Sequence, residues 1–145
     1  RILIAEDGED NQRLLRHYFS RAKAEFELVT DGKQALDRAL AEAARGTPFD
    51  VVLMDMQMPV LDGYAAARRL RAAGYRRPIL ALTANAMTGD RERCLQAGMD
   101  DYLSKPFDLA ALQRSIDTWV KEEPRPKQAE KMQALLDRVR PALRQ

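Results

Sequence analysis

Polar side chains that could handle a phosphoryl group follow short apolar runs in the sequence. Glu6 and Asp7 follow the first run, Asp55 the third and Thr83 the fourth, and Lys105 comes shortly after the fifth. Three carboxylates held close together repel one another, so their charged forms need a cation. Their oxygens suit Mg²⁺, which keeps several waters and also accepts phosphate oxygens. With a hydroxyl and an ammonium added, the set suits phosphoryl transfer, because that reaction depends on positioning and charge neutralisation.

The apolar runs alternate with amphipathic stretches, which predicts an α/β fold. The predicted strands are 2–5, 26–29, 51–54, 79–82 and 102–103, and the predicted helices are 9–23, 32–45, 63–74, 87–97 and one beginning after Asp108. This alternation indicates a doubly wound, five-stranded parallel sheet with five flanking helices on both faces. Central strands covered on both faces are apolar throughout, whereas Glu27 places the second strand at an edge. The predicted strand order is 2-1-3-4-5.

The predicted sheet brings the polar side chains together. All strands of a parallel sheet end on one rim, and ligands bind there. Glu6, Asp7, Asp55, Thr83 and Lys105 are therefore expected to meet, although they are far apart in the sequence. A buried attraction between Lys105 and an anion at such a site is worth roughly 4 kcal/mol at an intermediate effective dielectric.

Helical periodicity predicts the core-facing side of the first helix. Its members are Leu14, Leu15, Tyr18, Phe19 and Ala22. The only histidine, His17, is left on the outer face, so we do not expect it to carry a phosphoryl group. Asp108 is placed to cap the last helix, and Gly98 to end the fourth. Cys94 is interpreted as a packing residue, while Trp119 fits either packing or partner contact.

Composition favours one globular domain followed by a tail. The chain has 145 residues and a net charge of only +2, which gives no nucleic-acid footprint, and no apolar run approaches membrane-spanning length. It opens at Arg1 without a Met, so we expect a segment of a longer protein. A lone cysteine fits a reducing, cytoplasmic setting. We predict a domain over 1–121, and a linker and amphipathic helical tail over 122–145.

The tail has three possible roles. Its helix is predicted over 127–140, with an apolar stripe formed by Met132, Leu135, Leu136 and Val139. An isolated helix of this length is marginal in water, so it should pack on something. It could fold back on the domain, associate with a second copy, or lead into a following module.

Four motifs give the chain a family resemblance. They are Ile4-Ala5-Glu6-Asp7, Met54-Asp55-Met56-Gln57-Met58-Pro59 with Asp62-Gly63, Leu82-Thr83-Ala84-Asn85, and Asp101-Tyr102-Leu103-Ser104-Lys105-Pro106-Phe107. The chain resembles a receiver domain of two-component response regulators over about residues 1–121, and most closely the receivers of hybrid sensor histidine kinases. The resemblance implies a flavodoxin-like fold and a cytoplasmic phosphorelay domain. Its partner would be a histidine kinase or a histidine phosphotransfer domain.

The resemblance also implies roles for the rim residues. Asp55 would be the phosphoacceptor, and Asp7 and Asp55 would bind Mg²⁺ directly, with Glu6 acting largely through water and the Gln57 carbonyl as a further ligand. Three more residues would act on the phosphoryl group or respond to it. Lys105 would pair with the phosphoryl oxygens, Thr83 would hydrogen-bond them, and Tyr102 would rotate inward as Thr83 moves. Pro106 would follow a cis peptide bond.

Some positions depart from the family pattern or vary within it. Gly8 stands where receivers of this kind often have Asn, which removes a side chain from the rim. Gln57 and Asn85 lie near the path of attacking water, and we predict that they tune how long the phosphoryl group is retained. Asn11, Leu15 and Phe107 are candidates for a surface that docks the phosphodonor, although Leu15 also fits the core face.

Other classes of protein fit the sequence less well. A haloacid-dehalogenase phosphatase uses a second acid two residues after its aspartate nucleophile, where this chain has Gln57. A flavin-binding protein needs a phosphate-cradling loop after the first strand, where the acidic run 6–10 would repel phosphate. The intact set of rim residues argues against a decayed interaction module.

Overall fold

The computed structural model of the chain describes residues 1–84, 90–106 and 108–120. The strands are β1 (Ile2–Ala5), β2 (Phe26–Val29), β3 (Val51–Asp55), β4 (Ile79–Thr83) and β5 (Asp101–Ser104), and the helices are α1 (Glu9–Arg21), α2 (Gly32–Ala44), α3 (Gly63–Ala72), α4 (Asp90–Gln96) and α5 (Leu109–Val120). All neighbouring strands pair in parallel, in the order β2-β1-β3-β4-β5. The predicted fold and strand order are confirmed. Asn85, Phe107 and the tail helix predicted over 127–140 lie outside the described residues.

Alternating side chains of the central strands feed two apolar cores, one on each face of the sheet. Every residue of β1, β3 and β4 is buried. One set of alternate side chains packs under α1 and α5, and the other packs under α2, α3 and α4. The edge strand β2 is only half-buried, and its Glu27 forms an ion pair with Arg38 of α2. Burial on both faces explains the continuous apolar runs of the three central strands.

The core-facing side of α1 is narrower than its periodicity predicts. Leu15 is fully buried and Phe19 is nearly so, whereas Leu14 is 38% exposed. Ala22 is exposed as well, since the helix ends at Arg21 and Ala22 is its C-cap. The prediction that Leu14 and Ala22 face the core is wrong. Successive residues point about 100° apart on a helix, so a core face centred on Leu15 turns Leu14 toward solvent.

Side chains that cap or pack against helices fix the remaining elements. The Asp108 carboxylate accepts hydrogen bonds from the N–H groups of Ala110 and Ala111, and Gly98 has a positive φ of 101° two residues after the end of α4, so both predicted helix ends are confirmed. Trp119 packs against the core beneath α5 and donates its indole N–H to Asp101 at 3.3 Å, which favours the packing interpretation.

Three further features of the described residues bear on the expectations from sequence. Cys94 is buried and His17 is exposed, as predicted. None of the described helices combines the length and apolar character needed to cross a membrane.

The contrast between Leu14 and Leu15 predicts unequal costs of truncation. Replacing Leu15 by Ala should lower the free energy of unfolding by about 2–5 kcal/mol, because it removes buried methyl groups and leaves a cavity. The same change at Leu14 should cost less than about 1 kcal/mol. Urea unfolding of the two variants, followed by circular dichroism, measures this difference. Equal losses of stability would contradict the assignment of the core face.

Candidate functional site

The carboxyl ends of four strands bring the predicted polar side chains to one rim. Glu6 and Asp7 directly follow β1, while Asp55 and Thr83 are the last residues of β3 and β4. Strand pairing aligns these ends, and the Lys105 N–H bonds the Thr83 carbonyl at 2.7 Å as the chain leaves β5. Side chains distant in sequence therefore share one small volume because the sheet is parallel.

Three carboxylates form the centre of the site. One oxygen from each of Glu6, Asp7 and Asp55 lies within 4.8 Å of those of the other two. Glu6 is fully buried and Asp55 is 3% exposed, whereas Asp7 is open to solvent. The cluster is thus approached from the side of Asp7.

Lys105 supplies the positive charge that this group needs. Its Nζ lies 3.0 and 3.1 Å from the two Glu6 carboxylate oxygens and 3.2 Å from Asp55 Oδ2. Lys105 therefore bridges Glu6 and Asp55. Removing Lys105 would be costly, because these buried charges would be left uncompensated.

Amide side chains from α1 hold Glu6 in place. Asn11 Nδ2 donates to Glu6 Oε1 at 2.8 Å, and Gln12 Nε2 donates to the Glu6 carbonyl at 2.6 Å. The sequence interpretation assigned Asn11 only to docking and missed Gln12. A pair of amides in the first turn after an acidic strand end is a signal that could have found them.

The crowding of acids changes their ionisation. Burial raises the pKa of Asp55, and contact with Glu6 raises it further, against smaller opposing effects of the Gln57 N–H and Lys105. Partial burial and contact with Asp55 raise the pKa of Asp7. Burial alone would lower the pKa of Lys105, but Glu6 and Asp55 raise it overall. The acids therefore retain unfavourable charge that one lysine offsets incompletely.

The residues expected to switch lie on β4 and β5. Thr83 is buried at the rim, and Tyr102 is partly buried against the core on the α4 side of the sheet. The peptide bond between Lys105 and Pro106 is cis, as the resemblance implies.

The loop between β3 and α3, residues 56–62, contacts Asp55. The Gln57 N–H donates to Asp55 Oδ1 at 3.2 Å, and the Gly63 N–H donates to the Met56 carbonyl at 3.2 Å. A Cβ on Gly63 would lie 2.4 Å from the Asp55 carbonyl oxygen. Only glycine permits α3 to begin this close to the end of β3.

The same loop contains a strained turn. Val60 has a φ of +69°, and the Leu61 N–H bonds the Pro59 carbonyl at 2.7 Å, which is the hydrogen bond of a γ-turn. A β-branched residue at positive φ costs on the order of 1–3 kcal/mol and persists only where its surroundings fix it. The Val60 side chain is 76% exposed, so its own packing does not compensate for this strain.

A cleft of about 490 Å³ opens beside the acids. Gln57, Thr83, Tyr64 and Arg93 contribute to its walls. The Arg93 guanidinium lies 4.5 Å from the centre of the Tyr64 ring, a cation–π contact between α4 and α3. No sequence pattern indicates this contact, because neither residue belongs to a motif.

The geometry of the rim is compatible with a magnesium ion. Three carboxylates each place one oxygen within 4.8 Å of the others, and both burial and contact with a neighbouring acid raise the pKa values of Asp55 and Asp7. A divalent cation would favour the charged forms of these acids. A partly open group of carboxylate oxygens is what Mg²⁺ binds while keeping several waters. Glu6, Asp7 and Asp55 could therefore hold the ion.

The structure corrects one of the residues predicted to dock the phosphodonor. Leu15 is fully buried, so its assignment to a docking surface is wrong. Leu14 instead lines a groove of about 400 Å³, together with His17, Tyr18 and Leu109. This surface, the α1–α5 groove between α1 and the start of α5, is therefore the candidate docking surface in place of Leu15.

Comparison with known proteins identifies the family. The sequence profile described as "Response regulator receiver domain" matches residues 2–117. The chain is 37% identical over 124 residues to hybrid signal transduction histidine kinase I of Dictyostelium discoideum, covering 83% of this chain and 7% of that protein. It is 37% identical over 115 residues to sensor histidine kinase RcsC of Salmonella typhi, covering 79% and 12%. The chain thus spans only a small part of these relatives.

Solved structures give the same result. The receiver domain of sensor histidine kinase PA1611 from Pseudomonas aeruginosa, with a magnesium ion coordinated in its active site cleft, is 47% identical with a TM-score of 0.74, covering 83% of this chain and 97% of that one. The Saccharomyces cerevisiae receiver domain of Ssk1, solved with the histidine phosphotransfer protein Ypd1, is a match at 31% identity and a TM-score of 0.70, covering 81% and 86%.

Crowding of the carboxylates predicts a stabilising substitution. Asp7→Asn should raise the free energy of unfolding in magnesium-free buffer at neutral pH by about 1 kcal/mol, the scale of one solvent-screened repulsion at contact distance. Burial and contact with Asp55 raise the folded pKa of Asp7, so its charge is unfavourable above that pKa and the penalty disappears as the pH falls through it. The gain should therefore shrink toward acidic pH.

Asp10→Asn is the matched control, because Asp10 is an exposed acid in the first turn of α1 outside the cluster. Denaturant unfolding of both variants across pH measures the effect. A gain at Asp10 equal to that at Asp7 would show that local crowding is not its source.

Proposed function

The chain belongs to the response regulator receiver domain family, and from that premise we propose that Asp55 takes a phosphoryl group from a phosphohistidine with the help of Mg²⁺. The observation that carries the proposal is the buried Asp55 carboxylate, which Lys105 contacts on one side while Glu6 and Asp7 lie close by. In this function the domain changes conformation once it is phosphorylated, and so passes on a signal.

The chemistry follows from the positions of these side chains. An oxygen of Asp55 attacks the phosphorus as the bond from phosphorus to the donor nitrogen breaks, and the electron pair of that bond stays on the imidazole. The Gln57 N–H and Lys105 hold the Asp55 carboxylate in one orientation. Fixing the nucleophile and neutralising charge supply most of the rate in such transfers.

The proposed metal site uses the acids described above. Asp7 and Asp55 would hold Mg²⁺ directly, Glu6 through water, and the Gln57 carbonyl as a further ligand. Bound Mg²⁺ supplies charge neutralisation for the phosphoryl oxygens. Glu6 also has a second task, because its two hydrogen bonds with Lys105 keep the ammonium at the rim.

Phosphorylation changes the contacts available to Lys105 and Thr83. A phosphoryl group adds close to two negative charges and three acceptor oxygens. Lys105 would pair with these oxygens, and the Thr83 hydroxyl would donate to one of them. Tyr102, partly buried on the neighbouring strand, would move inward as Thr83 shifts. The conformational change is thus driven by new hydrogen bonds at the rim.

The phosphoryl group serves as a signal in this proposal and is not processed as a substrate. An aspartate-based phosphatase needs an acid close to its nucleophile to protonate and deprotonate the reacting groups. Position 57 carries an amide, so hydrolysis should be slow. Gln57 and Asn85 are proposed to set the rate of this hydrolysis. Asn85 lies outside the described residues.

The parent protein is proposed to be a hybrid histidine kinase with this domain on its cytoplasmic side. Both relatives named above are histidine kinases, but the chain spans only 7% and 12% of their lengths. The proposed donor is a histidine kinase or a histidine phosphotransfer domain. Self-association through residues 122–145 is also a proposal, and those residues lie outside the described part.

Incubation with Mg²⁺ and acetyl phosphate tests the function. Mass spectrometry should show one phosphoryl group per chain, lost completely in Asp55→Asn because that amide is not a nucleophile. Asp10→Asn should be phosphorylated like the wild type, since Asp10 lies outside the acid cluster. Multiple turnover of a phosphoester would instead indicate a phosphatase, and no magnesium-dependent adduct would contradict the proposal.

We propose that the α1–α5 groove docks the protein phosphodonor, which predicts selectivity between donors. Leu14→Glu should slow transfer from a phosphohistidine protein by roughly fivefold or more, because a charge would enter an apolar contact surface. Phosphorylation by acetyl phosphate should be unchanged, since a small donor does not need the groove. Leu95→Glu is the matched control, because Leu95 is an exposed leucine on α4. Rapid-quench kinetics with both donors measures the effect, and equal slowing with both would argue against docking at Leu14.

A further inference from the structure

A single backbone contact ties the strained turn of the 56–62 loop to another element. The N–H of Gly32, in the first turn of α2, donates to the Leu61 carbonyl at 3.1 Å. Within the described residues, this is the one backbone hydrogen bond that joins the turn over 59–61 to a different helix or strand. The remaining backbone bond of that turn is internal, from the Leu61 N–H to the Pro59 carbonyl.

The contact is close enough that only glycine fits. A Cβ on Gly32 would lie 2.0 Å from the Leu61 carbonyl oxygen, 2.8 Å from its carbonyl carbon and 3.2 Å from the Asp62 carbonyl oxygen. All three are backbone atoms, so no side-chain rotation relieves the clash. A larger residue at position 32 must displace the loop, α2 or both.

The loop needs such an anchor because of its own conformation. Val60 holds an unfavourable positive φ and has an exposed side chain. A strained conformation persists only where its surroundings fix it. The start of the loop is fixed by the Met56 N–H on the Leu82 carbonyl and the Met56 carbonyl on the Gly63 N–H. Gly32 fixes the turn that follows Gln57.

Gln57 connects this anchor to the acids. Its N–H donates to Asp55 Oδ1, and its carbonyl is the proposed further ligand of Mg²⁺. A shift of the turn alters the path of the chain that leaves Gln57. We propose that Gly32 is a positioning residue for the Mg²⁺ site, acting through the Leu61 carbonyl and the 56–62 loop. The inference rests on the proposed function, since it assumes that Mg²⁺ binds beside Asp55.

The Gly32→Ala variant tests the inference by Mg²⁺ affinity. We expect roughly 10-fold weaker binding, the usual scale for loss of a group that orients metal ligands. An NMR titration of the Gln57 amide with MgCl₂, at a temperature where the variant is folded, measures the dissociation constant without any phosphorylation step.

Gly46→Ala is the matched control. Gly46 follows the opposite end of α2 with a φ of +82° and open space around it, so alanine there strains the backbone without touching the loop. This variant is expected to be destabilised and yet to bind Mg²⁺ like the wild type. Equal affinities in the two variants would overturn the inference, because a purely structural role for Gly32 predicts that outcome.

A measurement on the wild type guards against a Gly32→Ala chain that fails to fold. If the contact between Gly32 and Leu61 favours Mg²⁺ binding, then Mg²⁺ must in turn stabilise that contact. Saturating MgCl₂ should slow hydrogen exchange of the Gly32 amide by roughly fivefold. The Gly46 amide, which bonds the Ala43 carbonyl, should not change. Unchanged Gly32 exchange in a protein that binds Mg²⁺ overturns the inference, whereas wild-type protein that binds no Mg²⁺ overturns the proposed function.

Discussion

The structure depends on holding three carboxylates together at the rim of the sheet despite their mutual repulsion. Glu6 and Asp55 are almost entirely withdrawn from water, and Asp7 completes the cluster. Charged groups in such surroundings are unfavourable unless they are paired and hydrogen-bonded. Lys105 and Asn11 supply those partners for Glu6, so the most deeply buried acid is also the best compensated one. The raised pKa values of Asp55 and Asp7 mark where compensation is incomplete, and that is where a cation or a phosphoryl group changes the balance.

Different elements of the fold hold the strands in place and orient the acids. The central strands are held from both faces by apolar side chains, so their ends cannot move apart to relieve the repulsion. The groups that hold the acids come instead from helices and loops. Asn11 and Gln12 come from α1, Lys105 follows β5, and Gly32 of α2 reaches the loop after Asp55. A rigid sheet therefore carries the charges, while the surrounding segments determine how they are oriented.

The sequence was sufficient for the fold and for the convergence of the acids, because both follow from periodicity and from the geometry of a parallel sheet. It failed where the answer depends on the rotation of one helix. Leu14 and Leu15 are adjacent leucines that fit the same apolar pattern, and only packing against the sheet decides that Leu15 is buried. It also missed contacts between residues distant in sequence, such as Gly32 with Leu61 and Arg93 with Tyr64. No local pattern encodes those contacts, since each one depends on where two separate elements meet.

Because Leu14 is exposed, α1 has two roles beside Asp55. Leu14 lies outside the core and lines the α1–α5 groove beside Leu109, while Asn11, one turn earlier on the same helix, bonds Glu6. One short helix thus contacts the buried acid and also presents an apolar surface to solvent. The strained turn at Val60 is hydrogen-bonded to α2, and the cleft beside Arg93 opens between α3 and α4, so both lie on the other face of the sheet from α1. A phosphodonor that binds along α1, as proposed, would therefore approach Asp55 without displacing the loop that orients it, and its recognition would be separate from the positioning of the acids.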